Sequence, residues 1–228
     1  SRIAGSSAGA IIGALYCQGI MPKEILKILN NLNYFSFFRP ALNWQAFLNL
    51  EKVIDFLSIH LPVDDFSSLH TPLVVVATDL KKEKIKYFKK GELWRLLIAS
   101  CSIPVVFSPV KIKGTAYVDG ALLNNLPIEP LKKKCNYVIG LNCNPIGIIR
   151  TRVNWKKQLE RSWLLAISSR DRLKIKKIDL FWEPPELSSY HVFDFKRLDT
   201  IFDIGYDYAL QQLSKGKPEC LINKYVRN

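Results

Sequence analysis

The chain has 228 residues, 48% hydrophobic and 23% charged, a balance that suits a globular domain large enough to bury a core. Five irregularly spaced cysteines without a Cys-x-x-Cys pair, beside three isolated histidines, argue against a disulfide framework and a zinc site, and read as reduced thiols. The formal charge of +13 suits an anionic partner or a lysine-rich solvated surface, and no zinc-finger spacing, RNA-binding aromatic signature or coiled-coil basic region accompanies it.

The first residues, Ser1 to Gly5, read as the tail of a strand. A small, apolar run from Ala10 to Leu15 follows and closes at Gly19, a buried helix with a glycine stop. A second helix is expected from Pro22, with Ile25, Leu26, Leu29 and Leu32 on one face. The aromatic stretch from Tyr34 to Phe38, interrupted by Pro40, suits a packed core segment or a lipid-facing lid. A third helix is expected from Glu51 to His60. Residues 72–78 form a β-branched apolar run, a strand buried on both faces, with Ile85 to Phe88 as its antiparallel partner. Then come a helix from Glu92 to Ser100 ended by Pro104, a buried strand from Tyr137 to Leu141, and an amphipathic helix from Trp155 to Ser169. A strand from Ile175 to Trp182 and a final helix from Leu198 to Leu213 complete the series. Strands alternating with helices predict one α/β layer fold with a mainly parallel sheet. No apolar run approaches the roughly 20 residues of a membrane span.

Two short motifs carry chemistry. Gly5-Ser6-Ser7-Ala8-Gly9 fits Gly-x-Ser-x-Gly between a strand and a helix. Such a turn forces the serine into strained backbone geometry and sets its hydroxyl above a helix N-terminus, where developing negative charge is favoured. Tyr117-Val118-Asp119-Gly120-Ala121 ends a short strand on an aspartate that can point into a cleft, or forms an ordinary Asp-Gly turn. The order Ser, Asp, His also allows a triad with His191 as base, although nothing around Ser189-Tyr190-His191 looks like a catalytic-histidine loop. Thr78-Asp79, at the end of a core strand, reads as support near the cleft, and Asn124 and Asn125 as braces of the turn after Asp119.

These motifs stand in an ordered series. After the first come Val76-Ala77-Thr78-Asp79-Leu80, then Ala-Ser-Cys-Ser-Ile-Pro-Val-Val-Phe over 99–107. Val-Asp-Gly-Ala-Leu-Leu-Asn-Asn-Leu-Pro over 118–127 and Val-Ile-Gly-Leu-Asn over 138–142 follow, with a weaker closing segment around Asp203-Ile204-Gly205-Tyr206. In order and spacing the chain resembles the patatin-like phospholipase domain over nearly its whole length. The resemblance implies a three-layer α/β fold with a central, mainly parallel sheet flanked by helices, as a single domain over 1–228. It implies a Ser–Asp dyad: Ser7 as nucleophile, Asp119 as base, and Gly5, Gly9, Gly120 and Ala121 as the motif residues around them. It implies no metal and no cofactor. The family's first strand and glycine-rich oxyanion loop are expected ahead of Ser1, outside this sequence, and Ala121 stands where many members carry glycine. The expected substrate is a phospholipid or another fatty-acyl ester. Reversible contact with anionic membrane, no nucleic-acid partner, and a cytoplasmic or membrane-peripheral location are expected with it. The alternative is a catalytically silent membrane-lipid-binding domain of the same fold.

Overall fold

The structure, a computed structural model, describes residues 1–39, 47–48, 50–104, 106–148 and 154–215; Pro40 and Cys220 lie outside them. Strand β1 (Ile3–Ser6) leads into helix α1 (Ala8–Cys17). The glycine stop forms as expected. Gly19 takes φ 99°, its N–H bonds to the Tyr16 carbonyl, and the Ile20 N–H reaches back to Leu15. Helix α2 (Pro22–Asn30) starts on its proline, with the Glu24 carboxylate accepting from the Met21 N–H at 3.2 Å. Its core face carries Ile25, Ile28 and Leu29, with Leu32 just beyond; Ile28 takes the place foreseen for Leu26. A short antiparallel pair, β2 (Phe38–Arg39) and β3 (Phe47–Leu48), precedes α3 (Leu50–His60).

Strand β4 (Leu73–Asp79) is buried along its whole length. Leu73, Val75 and Ala77 face a core built with α1, α2, α3 and α4 (Leu93–Ser100). Val74, Val76 and Thr78 point to the other face by strand alternation and are also buried, and α5 (Ala121–Asn124) packs on β4. A continuous apolar run is what a strand covered on both sides requires.

The register around β4 decides where the chain's motifs meet. One edge of β4 pairs antiparallel with β5 (Lys84–Phe88) along residues 75–79. The other edge is shared. β1 runs parallel to its first half, ending with Ser6 opposite Val76. β7 (Thr115–Asp119) runs antiparallel to its second half, ending with Asp119 opposite Ala77. Two strands therefore arrive head to head at adjacent rungs of one edge. β7 is held by β6 (Val110–Ile112) in a hairpin whose turn, Lys113-Gly114, has both residues at positive φ.

Beyond α6 (Glu129–Lys132), a second, parallel pair joins β8 (Ile139–Leu141) to β9 (Leu180–Trp182). Helices α7 (Trp155–Ser168) and α8 (Asp171–Ile175) lie between them in sequence, and α9 (Leu198–Ser214) closes the described chain. Two expectations change here. β8 is not buried on both faces: Ile139 is 46% and Leu141 62% exposed, because only its inward side meets the small cluster of Val138, Ile178 and Phe181. The strand foreseen from Ile175 starts at Leu180, because residues 171–175 close a helical turn whose carbonyls cap Lys177 and Ile178. Among the described residues no helix is long and apolar enough to cross a membrane. Tyr34 stacks on Phe195 at 3.8 Å and Phe37 meets Phe56 edge-on, so these two aromatics are packing residues.

Candidate active site

β1 ends and α1 begins within one residue, and that residue is Ser7, at φ 53° and ψ −134°. A positive φ at a residue with a side chain costs about 1–3 kcal/mol and persists only where the surroundings enforce it. The enforcement is visible. A Cβ on Gly5 would lie 2.4 Å from the Gly9 carbonyl oxygen, so strand and helix pass too close for any side chain at that position. The Ser7 carbonyl accepts from the Ala10 N–H at 2.8 Å and starts the helix. Gly9 differs from Gly5, since a Cβ there would meet nothing within 4 Å.

The head-to-head strands bring the two motifs together. The Ser7 hydroxyl donates to Asp119 Oδ2 at 2.6 Å, across 112 residues of sequence. The other carboxylate oxygen, Oδ1, accepts from the Ala121 N–H at 2.7 Å. Asp119 is 1% exposed. Burial pushes its carboxyl up from 3.8 to about 6, against the opposing pull of the hydrogen bonds from Ser7 and Ala121. Gly120 permits the arrangement, because a Cβ there would lie 2.2 Å from the Val76 carbonyl oxygen and 2.6 Å from Ser6 Oγ. Thr78 supports it from below, donating to the Asp119 carbonyl at 3.0 Å. Asp79 serves the fold instead, its Oδ1 accepting from the Lys81 and Lys82 N–H groups to close the β4–β5 turn.

Two residues at the end of α4 join the site, although the motifs alone do not mark them as part of it. Ser100, fully buried, donates its hydroxyl to the Val76 carbonyl at 2.6 Å and accepts from the Ser7 N–H at 3.0 Å. It ties the strained serine to the central strand. The Ser100 and Ser102 carbonyls accept from the Gly120 and Asp119 N–H groups, so one turn of chain holds both motifs. Cys101 lies against the pair. Burial pushes its thiol well above the ordinary value, the Asp119 charge pushes it further, and a hydrogen bond with Ser7 opposes both. The only sequence signal for this role is the family-like block over 99–107; a serine in an apolar helix does not announce its partners.

Asn124 and Asn125 do brace the turn after Asp119. Asn124 donates to Tyr87 and to Glu129 Oε2, both at 2.9 Å, and accepts from Lys174. Lys174 also pairs with Glu129 at 3.1 Å. Asn125 donates to Asp171 at 2.9 Å. The histidines lie elsewhere: His191 pairs with Glu160 at 2.9 Å, His60 packs on Phe56, and His70 sits beside Gly19.

A family model described as patatin-like phospholipase matches residues 1–132, more than half of the chain and all of the strands and turns that build this site. The chain belongs to the patatin-like phospholipase family. Among similar proteins, an uncharacterized NTE family protein of Mycobacterium tuberculosis is 30% identical over 70% of this chain and 47% of its own length. The lysophospholipase NTE1 of the yeast Meyerozyma guilliermondii is 22% identical over 91% of this chain and 17% of its own. An uncharacterized protein of Acanthamoeba polyphaga mimivirus is 27% identical over 93% of this chain and 82% of its own. The chain thus spans about half the length of the mycobacterial relatives and less than a fifth of the yeast enzyme.

Proposed function

We propose that this protein is a lipid acyl hydrolase that cleaves fatty-acyl esters through Ser7 and Asp119. The observation that carries the reading is the 2.6 Å hydrogen bond from the Ser7 hydroxyl to a carboxylate almost sealed from water. A carboxylate near 4 is a weak base for an alcohol. One raised to about 6 is ionised at neutral pH and a better proton acceptor.

The chemistry follows from the two oxygens. Ser7 Oγ attacks the ester carbonyl while its proton passes to Asp119 Oδ2. The tetrahedral intermediate collapses as that proton moves to the leaving alcohol, leaving an acyl-serine. Water then gives a proton to Asp119 and attacks the acyl-serine; as that intermediate collapses Asp119 returns the proton to Ser7 Oγ, and the fatty acid leaves. The developing oxyanion needs backbone donors, and the α1 N-terminus beneath Ser7 supplies a favourable dipole. With Asp119 as the base, no metal-bound hydroxide is needed to activate Ser7 or the water. A silent lipid-binding domain has no use for a hydroxyl held at φ 53° against a desolvated carboxylate, which supports the enzymatic reading.

The substrate class is a glycerophospholipid or its monoacyl form; the yeast relative's name, a lysophospholipase, favours the latter. We place the protein in the cytoplasm, a reading supported by the free thiols of Cys17, Cys101, Cys135 and Cys143, with reversible access to membrane. The test uses the whole protein with lysophosphatidylcholine and phosphatidylcholine, and a fluorophosphonate probe. Fatty-acid release that survives chelators, with the probe attached to Ser7, is expected. Probe attachment elsewhere, or activity restored only by calcium, overturns the proposal.

A further inference from the structure

The segment 154–177 has a charge pattern that the site chemistry does not use. It holds eight basic residues and only two acids, Glu160 and Asp171. Both acids are turned into the protein. Glu160 accepts from the Val192 N–H and pairs with His191. Asp171 is buried and accepts from Asn125 and from the Leu126 N–H. One lysine, Lys174, is turned inward with them onto Asn124 and Glu129. What remains outside is basic and apolar. Lys157, Arg170, Arg172, Lys176 and Lys177 are exposed. So are Leu159 at 55%, Leu165 at 45% and Leu173 at 77%.

On α7 the exposed residues are sorted by face. Trp155, Leu159, Ser162 and Ala166 fall in one row at helical spacing, and Leu165 joins Gln158 and Ser162 in the adjoining row. The buried side carries Ile167. The outward face of α7 mixes Trp155, Leu159, Leu165 and Ala166 with Gln158 and Ser162 and carries no acid, unlike the charged outward face usual for a surface helix. It is the pattern of a helix lying in a lipid interface, where aliphatic side chains enter the acyl boundary and lysine and arginine meet anionic headgroups. A nucleic acid would satisfy the cations and leave the leucines without a role, so the charge and the apolar face together favour lipid. The placement fits a lipid enzyme: α7 packs on α5, the helix that begins two residues after Asp119, and α8 is bonded to the same turn.

We propose that the outward face of α7 and α8 is the surface by which this protein docks on an anionic phospholipid bilayer. The proposal takes its partner from the lipid-hydrolase reading, and its test separates the two. Whole protein carrying Ser7→Ala, which leaves the lipid unconsumed, is sedimented with vesicles of phosphatidylcholine alone or mixed with phosphatidylserine, across a salt series. One variant adds Leu159→Asn, Leu165→Asn and Leu173→Asn; another adds Arg170→Ser, Arg172→Ser and Lys176→Ser. The first is expected to lose at least about tenfold in binding to both vesicles, from the apolar burial it forfeits. The second is expected to lose the preference for anionic vesicles and the salt dependence with it. Both, with Ser7 restored, should still hydrolyse a monomeric short-chain ester at the parental rate, which shows that the fold is intact. Unchanged vesicle binding by both variants overturns the proposal. So does equal, salt-independent binding to the two vesicles, or a loss of self-association or RNA binding in these variants while vesicle binding persists. Vesicle binding without any ester hydrolysis would sink the enzymatic reading and leave the docking surface standing.

Discussion

Two carboxylates ten residues apart show how surroundings divide chemistry from architecture. Asp119 ends β7 and Glu129 begins α6 just beyond it, and both contact polar side chains. Among the described residues, no cation is bonded to Asp119. Its partners are one hydroxyl and one amide, and burial raises it to about 6. Burial also acts on Glu129, but hydrogen bonds from Asn124 and Lys174 and the Lys174 charge outweigh it and hold that carboxyl below its ordinary value. A carboxylate locked to a lysine is a strut. A desolvated one facing a serine is poised to take a proton.

Experiments that break this contrast should show effects of very different size. Ser7→Ala and Asp119→Asn are both expected to cut ester hydrolysis at least about a thousandfold, read as kcat on a lipid ester. The second should also remove a pH-dependent contribution to stability. The unfolded carboxyl ionises near 3.8 and the folded one near 6, so through that window the folded state keeps a proton that the unfolded state has lost. Stability therefore falls as pH rises from about 4 to 6 and stays lower above. Removing the charge should make the protein about 3 kcal/mol more stable at pH 8, with the gain fading below pH 4, as denaturant titration at both pH values would show. If the same carboxyl is the base, kcat should rise with pH through about 6 and then level, and a flat profile from pH 5 to 8 would show that Asp119 is not the base.

A smaller effect is expected one step away. Ser100→Ala leaves the Ser7 N–H and the Val76 carbonyl without their shared partner, at about 1–3 kcal/mol. If Ser100 positions the serine, kcat should fall about tenfold with KM nearly unchanged, and Ser100→Thr should recover part of it. A stability loss with intact kcat would make Ser100 a packing residue only. The smallest effect belongs to the strut. Lys174→Met should cost about 1 kcal/mol, kept low because Glu129 is 43% exposed, and should leave the pH profile of hydrolysis where it was. A displaced profile would mean that the two carboxylates are coupled after all.

Much of this was legible in the residues, and the divide has a physical cause. Whatever depends on neighbours within a turn or two could be read directly. The glycines around Ser7 announce a strand–helix reversal, since close backbone approach at Gly5 excludes a side chain. Gly19 announces a helix stop, and the run 72–78 a strand covered on both faces, which the structure forms over Leu73–Asp79. The family series could be read as well, because it is a matter of order and spacing. Periodicity also gave α7 its amphipathic character, but a helical period says only that two faces differ, not which one finds the core. Tertiary structure decided that the acids Glu160 and Asp171 turn inward and Leu159 and Leu165 out. It also decided the site. That Ser7 and Asp119 meet at 2.6 Å follows from β1 and β7 sharing one edge of β4 at adjacent rungs, a pairing set by long-range packing and register rather than by either motif. Ser100 became a clamp for the same reason: its partners are 24 and 93 residues away, and local chemistry holds no record of them.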